Sequence, residues 1–356
     1  MKHTLSTLET IDAWVGWVSV GIRVAFAGLC GPFRGTSGAD TYYHHIIQAA
    51  VKALTRRFSP LQLQYLFRSY DQLYINYCKQ TGIEPTFVSN DGGLNGFWIG
   101  DPTEADYVVI HFHGGGFAMD ATSAYLDFWP SIAKGVSDEG ITTAWLNVTY
   151  ALAPHATYPT QFREAVEAVR YVVEDLGRSP RDVILVGDSA GGNLCLALLS
   201  HISHPSPDAP KLVMPEPLKA LVCLSPWVSF RHDWPSMEEN QSKDIDAKDV
   251  TEKWAKDYLN GRSTNYYIEA CDAPESWWEG ARVEQTLVLA GGDEMLLDPI
   301  RSWVAKFSKS NPDTTFVVGQ DECHIAPLIW PLFGDRHETQ QGAALKSWLC
   351  DRLRVW

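Results

Sequence analysis

Residues 183–199 read VILVGDSAGGNLCLALL. The apolar run Val183 to Val186 leads into Gly187-Asp188-Ser189-Ala190-Gly191, and the helix-like run Asn193 to Leu199 follows. This order predicts a strand, a sharp turn and a helix, with small residues around Ser189 because the turn is too tight for larger side chains. The turn would lift the serine hydroxyl above the strand end, where the first amides of the helix point. The stretch therefore predicts an α/β fold with a nucleophilic serine.

The pattern G-x-S-x-G arises by chance in roughly one chain of this length in ten. The surrounding sequence therefore has to support the predicted fold and nucleophile. From Tyr107 onward, short β-branched runs alternate with segments of helical periodicity, which is typical of a doubly wound, mostly parallel sheet. The predicted strands are Tyr107 to His111, Ile141 to Val148, Val183 to Val186, Ala220 to Leu224, Thr286 to Ala290 and Thr315 to Val318. The predicted helices are Gln161 to Leu176, Ala190 to Ser200, Ile300 to Ser308 and Thr339 to Leu353. Ligands are expected at the carboxyl ends of the strands.

A second motif, His113-Gly114-Gly115-Gly116-Phe117, directly follows the first predicted strand. Consecutive glycines let the backbone approach a ligand and turn its amides inward, which an oxyanion hole requires. A phosphate-binding loop is the weaker interpretation, because the chain has neither G-x-x-x-x-G-K-[ST] nor G-x-G-x-x-G. Together, the two motifs predict acyl transfer at the carboxyl edge of the sheet.

These motifs resemble those of the hormone-sensitive-lipase-like family of α/β-hydrolases. The resemblance runs from about Tyr107 to the C-terminus, and it includes Ser225-Pro226-Trp227 and a late Asp and His. It implies an α/β-hydrolase fold with a helical cap and the chemistry of a serine esterase. It also implies that three backbone amides bind the oxyanion, those of Gly115, Gly116 and Ala190.

The general base can be narrowed to two histidines, because the chain order in this fold is Ser, acid, His. His324 comes just after the predicted strand Thr315 to Val318, where catalytic residues at strand ends belong. His337 lies in a polar run that leads into the last helix, which indicates a solvated position. The prediction is His324.

The acid has three candidates, Asp293, Glu294 and Asp298. Asp293 follows the strand Thr286 to Ala290 after two glycines, so its carboxylate can reach across the strand ends. Asp298 precedes Pro299, the signature of a helix N-cap with proline at the first helical position. The resemblance also implies the first Asp of this segment, so Asp293 is the predicted acid.

Two segments break the alternation of strands and helices, and both are assigned to a cap over the strand ends. Residues 1–85 are predicted to form cap helices, one of them starting at Ser59-Pro60 and ending at Gly82. Residues 86–356 are predicted to form the catalytic domain, with a cap insertion at about residues 229–280. The insertion holds four tryptophans, for which substrate contact and packing on the core both stay open; they are Trp234, Trp254, Trp277 and Trp278.

Composition restricts the partners. A net charge of −14 on 356 residues disfavours nucleic acid and anionic lipid and favours a small neutral substrate. Several of the seven cysteines, such as Cys195 and Cys223, lie in apolar runs, which indicates a reducing, cytoplasmic compartment. The chain has no C-x-x-C and no H-E-x-x-H, so we expect neither a metal nor another cofactor.

The segment from Ile11 to Leu29 is mostly apolar but carries Asp12, Arg23 and three glycines. An arginine at mid-bilayer costs about 2.5 to 3.5 kcal/mol, which disfavours a clean transmembrane span. Three interpretations stay open for residues 11–29: a cap helix, association with a membrane surface, and a signal peptide.

The resulting hypothesis is a serine hydrolase that cleaves apolar, uncharged carboxylic esters through Ser189, His324, Asp293 and an acyl-enzyme. One alternative is an enzyme that tailors natural products with the same residues, by lactone opening, acyl transfer or dehydration. A second is a ligand-binding receptor on this fold. The receptor is disfavoured because all three triad residue types are present.

Overall fold

The computed structural model describes residues 5–35 and 38–353. Their strands form one sheet with the spatial order β1-β2-β4-β3-β5-β6-β7-β8. The strands are β1 (Thr86–Ser89), β2 (Asn95–Ile99), β3 (Tyr107–Phe112), β4 (Thr143–Val148), β5 (Val183–Asp188), β6 (Leu218–Leu224), β7 (Val283–Gly291) and β8 (Thr314–Gly319). From β4 to β8 all neighbours run parallel, whereas β1 and β2 add an antiparallel edge.

The central strands are buried on both faces, which explains why they read as continuous apolar runs rather than alternating ones. All six residues of β3 and of β5 are buried. Alternate side chains of β5 enter different clusters, because successive residues of a strand point to opposite faces: Val183 and Leu185 join one, Ile184 and Val186 the other. The sheet therefore separates two hydrophobic cores.

Helices cover both faces of the sheet. Residues of α6, α7 and α10 belong to one hydrophobic cluster, and residues of α5, α11 and α12 belong to the other. The helices are α1 (Thr7–Cys30), α2 (Tyr42–Arg57), α3 (Pro60–Leu66), α4 (Tyr70–Thr81), α5 (Ser123–Ser137), α6 (Thr160–Arg170), α7 (Ser189–Ser203), α8 (Pro235–Glu239), α9 (Lys248–Leu259), α10 (Leu297–Ser310), α11 (Ala326–Leu332) and α12 (Gln340–Leu353).

The predicted fold class is confirmed. All six predicted strands and all four predicted helices are present. The helix predicted to end at Leu176 ends at Arg170 and is followed by a π-helical turn, Tyr171–Asp175, whereas the other bounds shift by at most three residues. The strands β1 and β2 are absent from the prediction, because their runs of four and five residues are short and carry little apolar alternation. Their antiparallel hairpin continues the sheet beyond β4.

The N-terminal segment is helical, but one predicted helix is two. Ser59 caps α3 by accepting the Gln62 amide, and Gly82 ends α4 with a φ of +74°, so both predicted ends are confirmed. The chain leaves the helical conformation at Phe67, whose ψ is 154°, and Ser69 opens a new helix. The continuous helix from Ser59 to Gly82 is therefore wrong, because helical periodicity on both sides hides a short extended link.

The close packing of α7 on the sheet predicts a pair of glycine phenotypes. A Cβ on Gly191 would lie 1.9 Å from the Phe112 carbonyl oxygen, whereas one on Gly21, in the exposed part of α1, would meet nothing within 4 Å. Gly191→Ala should lower the free energy of unfolding by about 3 kcal/mol or more, since the clash is with rigid backbone. Gly21→Ala should raise it by about 0.5 to 1 kcal/mol. Urea unfolding measures both, and equal effects would contradict this account.

Candidate active site

Ser189 stands at the point where β5 turns into α7. Its φ is +50°, a left-handed conformation that is rare for a residue with a side chain. The turn is tight, because a Cβ on Gly187 would lie 2.4 Å from the Gly191 carbonyl oxygen. Ser189 is largely buried but lines a cavity of about 1510 Å³. The structure therefore gives Ser189 the backbone geometry of a nucleophile elbow.

The glycine loop that follows β3 lines the same cavity. Gly115 and Gly116 have φ values of +104° and +60°, which a residue with a side chain adopts only under strain. A Cβ on Gly116 would lie 2.2 Å from Cε3 of Trp254, so the loop also has no room for one. Among residues 5–35 and 38–353, no acceptor is hydrogen-bonded to the amides of Gly115, Gly116 or Ala190. Ala190 is in the first turn of α7, where helix amides lack intrahelical partners.

A buried carboxylate connects the glycine loop to the nucleophile turn. The Tyr125 hydroxyl donates to Oδ2 of Asp188 at 2.6 Å and accepts the Gly114 amide at 3.2 Å. Asp188 immediately precedes Ser189 and is fully buried. These two hydrogen bonds therefore connect Gly114, in the glycine loop, to the residue that precedes Ser189.

His113 supports the glycine loop from behind. Its Nδ1 lies 2.7 Å from the Gly114 carbonyl oxygen, and the Tyr150 hydroxyl donates to the His113 carbonyl at 2.6 Å. Burial lowers the pKa of His113 in spite of the nearby Asp120 carboxylate. The ring is therefore neutral at neutral pH and positions the loop.

His324 follows β8 and lines the cavity together with Ser189. Two carboxylates approach its ring from different sides. Oε2 of Glu294 lies 3.5 Å from Nδ1, and Oδ2 of Asp246 lies 3.8 Å from Nε2. Glu294 is fully buried, and the same Oε2 also accepts a hydrogen bond from the Ser225 hydroxyl. The carboxylate at Nδ1, the position of the orienting acid in a triad, thus belongs to Glu294.

The expectation that Asp293 orients His324 does not match this geometry and needs correction. Oδ1 of Asp293 lies 3.1 Å from the Lys243 ammonium, at the edge of the cap segment. Strand β7 ends at Gly291. In the turn after this strand, the neighbouring residues Asp293 and Glu294 direct their carboxylates to different partners. The sequence could not distinguish two neighbouring acids, because the turn geometry decides which one points at the histidine.

The third candidate acid, Asp298, also has another partner. Its Oδ2 accepts the Ser236 amide at 2.9 Å. The expected N-cap role is wrong, because α10 begins at Leu297 and its N-cap is Leu296. Through this hydrogen bond, Asp298 connects α8 of the insertion to the start of α10.

Asp244 is a residue that the sequence analysis missed. One oxygen of this fully buried carboxylate accepts the His324 amide at 2.9 Å, and the other accepts the Met295 amide at 2.7 Å. It therefore joins the loop of His324 to the loop of Glu294. No motif marks it, because it lies in the acidic segment 229–280, where the sequence offers several similar carboxylates.

The charged neighbours change how His324 holds its proton. Burial lowers the pKa of His324, but the carboxylates of Asp246 and Glu294 outweigh burial and raise it above the ordinary 6.5. Burial raises the pKa of Glu294, and His324 opposes that shift. The site thus combines a serine hydroxyl, an imidazole with a buried acid at Nδ1, and free amides. Acyl transfer requires groups of these three kinds. In the described ranges, no group of three or more His, Cys, Asp or Glu could hold a metal ion.

The fold and the site define the class of protein. A family profile described as alpha/beta hydrolase fold matches residues 109–328, which is most of the sheet with both motifs. The chain belongs to this family, and the predicted resemblance to its hormone-sensitive-lipase-like members is confirmed.

Relatives of the chain specify the class of enzyme. An acetyl-hydrolase of Streptomyces hygroscopicus is 23% identical over 75% of this chain and 84% of its own length. An esterase of Acinetobacter venetianus is 26% identical over 77% of this chain and 85% of its own. The neutral cholesterol ester hydrolase 1 of Mus musculus is 28% identical over 46% of this chain and 38% of its own.

Solved structures share the fold. An esterase from the bacterial hormone-sensitive lipase family superimposes with a TM-score of 0.64 at 22% identity, covering 94% of this chain and 98% of that one. An esterase/lipase from an uncultured bacterium gives a TM-score of 0.62 at 23% identity, covering 86% of this chain and 98% of its own. The chain is an enzyme of the carboxylic ester hydrolase class.

The contacts of the two adjacent acids predict opposite phenotypes. Glu294→Gln keeps the shape of the side chain but removes its charge from His324, so kcat for p-nitrophenyl acetate should fall by about 10³ to 10⁴. Asp293→Asn removes only the contact with Lys243, and kcat should stay within about tenfold of wild type. Urea unfolding of both variants controls for the hydrogen bond between Glu294 and Ser225. A larger loss in Asp293→Asn would restore the original assignment.

Proposed function

We propose that the chain hydrolyses uncharged, apolar carboxylic esters with Ser189 as nucleophile, His324 as general base and Glu294 as the orienting acid. The amides of Gly115, Gly116 and Ala190 form the oxyanion hole. The observation that carries this proposal is the shared cavity, which is lined by His324, by the glycine loop and by Ser189 in its left-handed conformation. Glu294 lies at Nδ1 of the His324 ring.

The proposed cycle has two halves. Nε2 of His324 takes the Ser189 proton as the hydroxyl oxygen attacks the ester carbonyl, and the three amides bind the resulting oxyanion. The tetrahedral intermediate collapses when His324 returns the proton to the leaving alcohol. Water then attacks the acyl-enzyme by the same route, with His324 again as base, and the carboxylic acid leaves.

The walls of the cavity support an apolar substrate. The cap helices contribute Trp17 and Val20 from α1 and Leu54 from α2, and the insertion contributes Trp254. Carboxylates of the lining include Asp71, Asp120 and Asp246. An anionic substrate would meet repulsion there, which favours an uncharged one.

The acyl group is expected to be small. Trp254 lies against Gly116, so it restricts the space beside the proposed oxyanion hole. The three other tryptophans of the insertion pack elsewhere: Trp234 near Arg231, Trp277 on His204 and Trp278 against Trp303. The relative named acetyl-hydrolase agrees with a short acyl group, and the relative named neutral cholesterol ester hydrolase agrees with a bulky apolar alcohol.

A series of p-nitrophenyl esters from acetyl to palmitoyl tests the function and the substrate class together. We expect kcat/KM to rise with each added methylene, by up to about 0.8 kcal/mol of transition-state binding, only until the acyl space is full at short to medium length. Ser189→Ala should remove at least about 99.9% of the activity without changing the unfolding midpoint. A flat profile would refute the substrate class, and activity that survives in Ser189→Ala would refute the nucleophile.

We also propose that α1 associates with a membrane surface. The helix is long and apolar enough to cross a bilayer by length and composition, and little of it is buried. Its inner face packs on the protein through Ala13, Gly16 and Val20, and Asp12 binds Arg57. Its outer face leaves large apolar side chains exposed; among them are Leu8, Trp14, Val18, Ile22, Phe26 and Leu29. Surface association keeps the inner contacts, whereas spanning the bilayer would break them. A cytoplasmic location, which suits the seven free thiols, stays a prediction.

Flotation with phosphatidylcholine vesicles tests the membrane proposal. Replacing both Ile22 and Phe26 with Glu should lower the bound fraction at least about tenfold, because each buried side chain of this size contributes roughly 1.5 to 3 kcal/mol. Phe87→Glu, at an exposed site on β1, is the matched control and should leave binding unchanged. If wild type fails to float, or if gel filtration shows that the apolar face joins two copies, the proposal is wrong.

A further inference from the structure

Asp246 occupies the side of His324 that the proposed reaction uses. Glu294 lies at Nδ1, so Nε2 is the nitrogen left to face the serine, and Oδ2 of Asp246 lies 3.8 Å from it. The Asp246 side chain lines the same cavity as Ser189 and is 21% exposed. A second carboxylate therefore stands where the base has to exchange protons.

The surroundings of Asp246 leave it with one charged partner. Asp244, from its own segment, and Glu294, from the loop after β7, are both acidic neighbours. Lys52 of α2 is the nearby cation, but its ammonium donates to the Gln241 carbonyl. Within the described parts of the chain, the carboxylate of Asp246 accepts no hydrogen bond, and its one ion pair is with His324.

We propose that Asp246 is a positioning residue that holds protonated His324 in an ion pair at Nε2 in the free enzyme, and that this pair must open before Nε2 can accept the Ser189 proton. The inference rests on the proposed function. The opening step releases the Nε2 proton to solvent and leaves a neutral imidazole beside a carboxylate. Only then can the Ser189 proton move to Nε2 as its oxygen attacks the ester.

The ion pair makes the enzyme's activity depend on alkaline conditions. An imidazolium has no lone pair at Nε2, so the rate follows the neutral fraction of His324. Because Asp246 and Glu294 together hold the pKa of His324 above 6.5, that fraction grows only as the pH rises through the raised value. Burial raises the pKa of Asp246, and its attraction to His324 opposes the shift. Removing the Asp246 charge should bring the base form to lower pH.

The test is the pH profile of kcat/KM for an uncharged ester, from about pH 5 to about pH 10, which reports on the free enzyme. Asp246→Asn should move the midpoint at least about one unit toward acid, so its kcat/KM on the acid side should exceed that of wild type about tenfold. Asp249→Asn is the matched control, because Asp249 lies three residues further on and binds Arg56. Its profile should coincide with that of wild type.

A second readout does not depend on turnover. In Ser189→Ala, an NMR titration of the His324 ring, assigned by its loss in His324→Gln, should give a pKa that falls when Asp246→Asn is added. Wild type without Ser189-dependent hydrolysis at any pH would refute the proposed function, while this titration would still decide the ion pair. Superimposed profiles and an unchanged pKa would overturn the inference. So would a uniform loss of kcat/KM with an unmoved midpoint, since Asp246 would then bind the substrate or the attacking water.

Discussion

The backbone of Ser189 has a φ of +50°, a conformation that costs a residue with a side chain about 1 to 2 kcal/mol. It is sustained because α7 packs directly on the sheet, with Gly191 against the Phe112 carbonyl and Gly187 against Gly191. The same packing sets the first amides of α7 beside the glycine loop that follows β3. One tight turn thus determines where the hydroxyl, the helix amides and the loop amides meet, and the other groups of the proposed site have to reach that point.

Buried carboxylates position the other groups of the proposed site. Asp188 binds the tyrosine that supports the glycine loop, Asp244 joins the two loops after β7 and β8, and Glu294 faces His324. A buried carboxylate is costly unless hydrogen bonds replace its lost hydration. Asp244 accepts backbone amides, and Asp188 and Glu294 accept hydroxyl groups. These hydrogen bonds offset part of the cost of burial, and among the described residues Oδ1 of Asp188 and Oε1 of Glu294 have no hydrogen-bond partner.

The helices α1, α2 and α9 determine how polar the cavity is. Apolar side chains from α1, α2 and α9 close a cavity of about 1510 Å³ above the reacting groups. In such surroundings, charges are screened weakly, so the carboxylates near His324 act strongly on its proton. The covering supplies the apolar walls, whereas the raised pKa of His324 comes from the carboxylates of Asp246 and Glu294, which outweigh the opposite effect of burial.

The sequence by itself determined the parallel part of the sheet, the alternation of its strands and helices along the chain, and the place of Ser189, the glycine loop and His324 at strand ends. These features depend on local periodicity and on tight turns that only small residues permit, so they can be read from neighbouring residues. The choice of Glu294 over Asp293, the bridging role of Asp244 and the approach of Asp246 to His324 were decided by the tertiary structure alone. The physical reason is that each depends on the direction of a side chain in an irregular loop, set by contacts with residues far away in the chain.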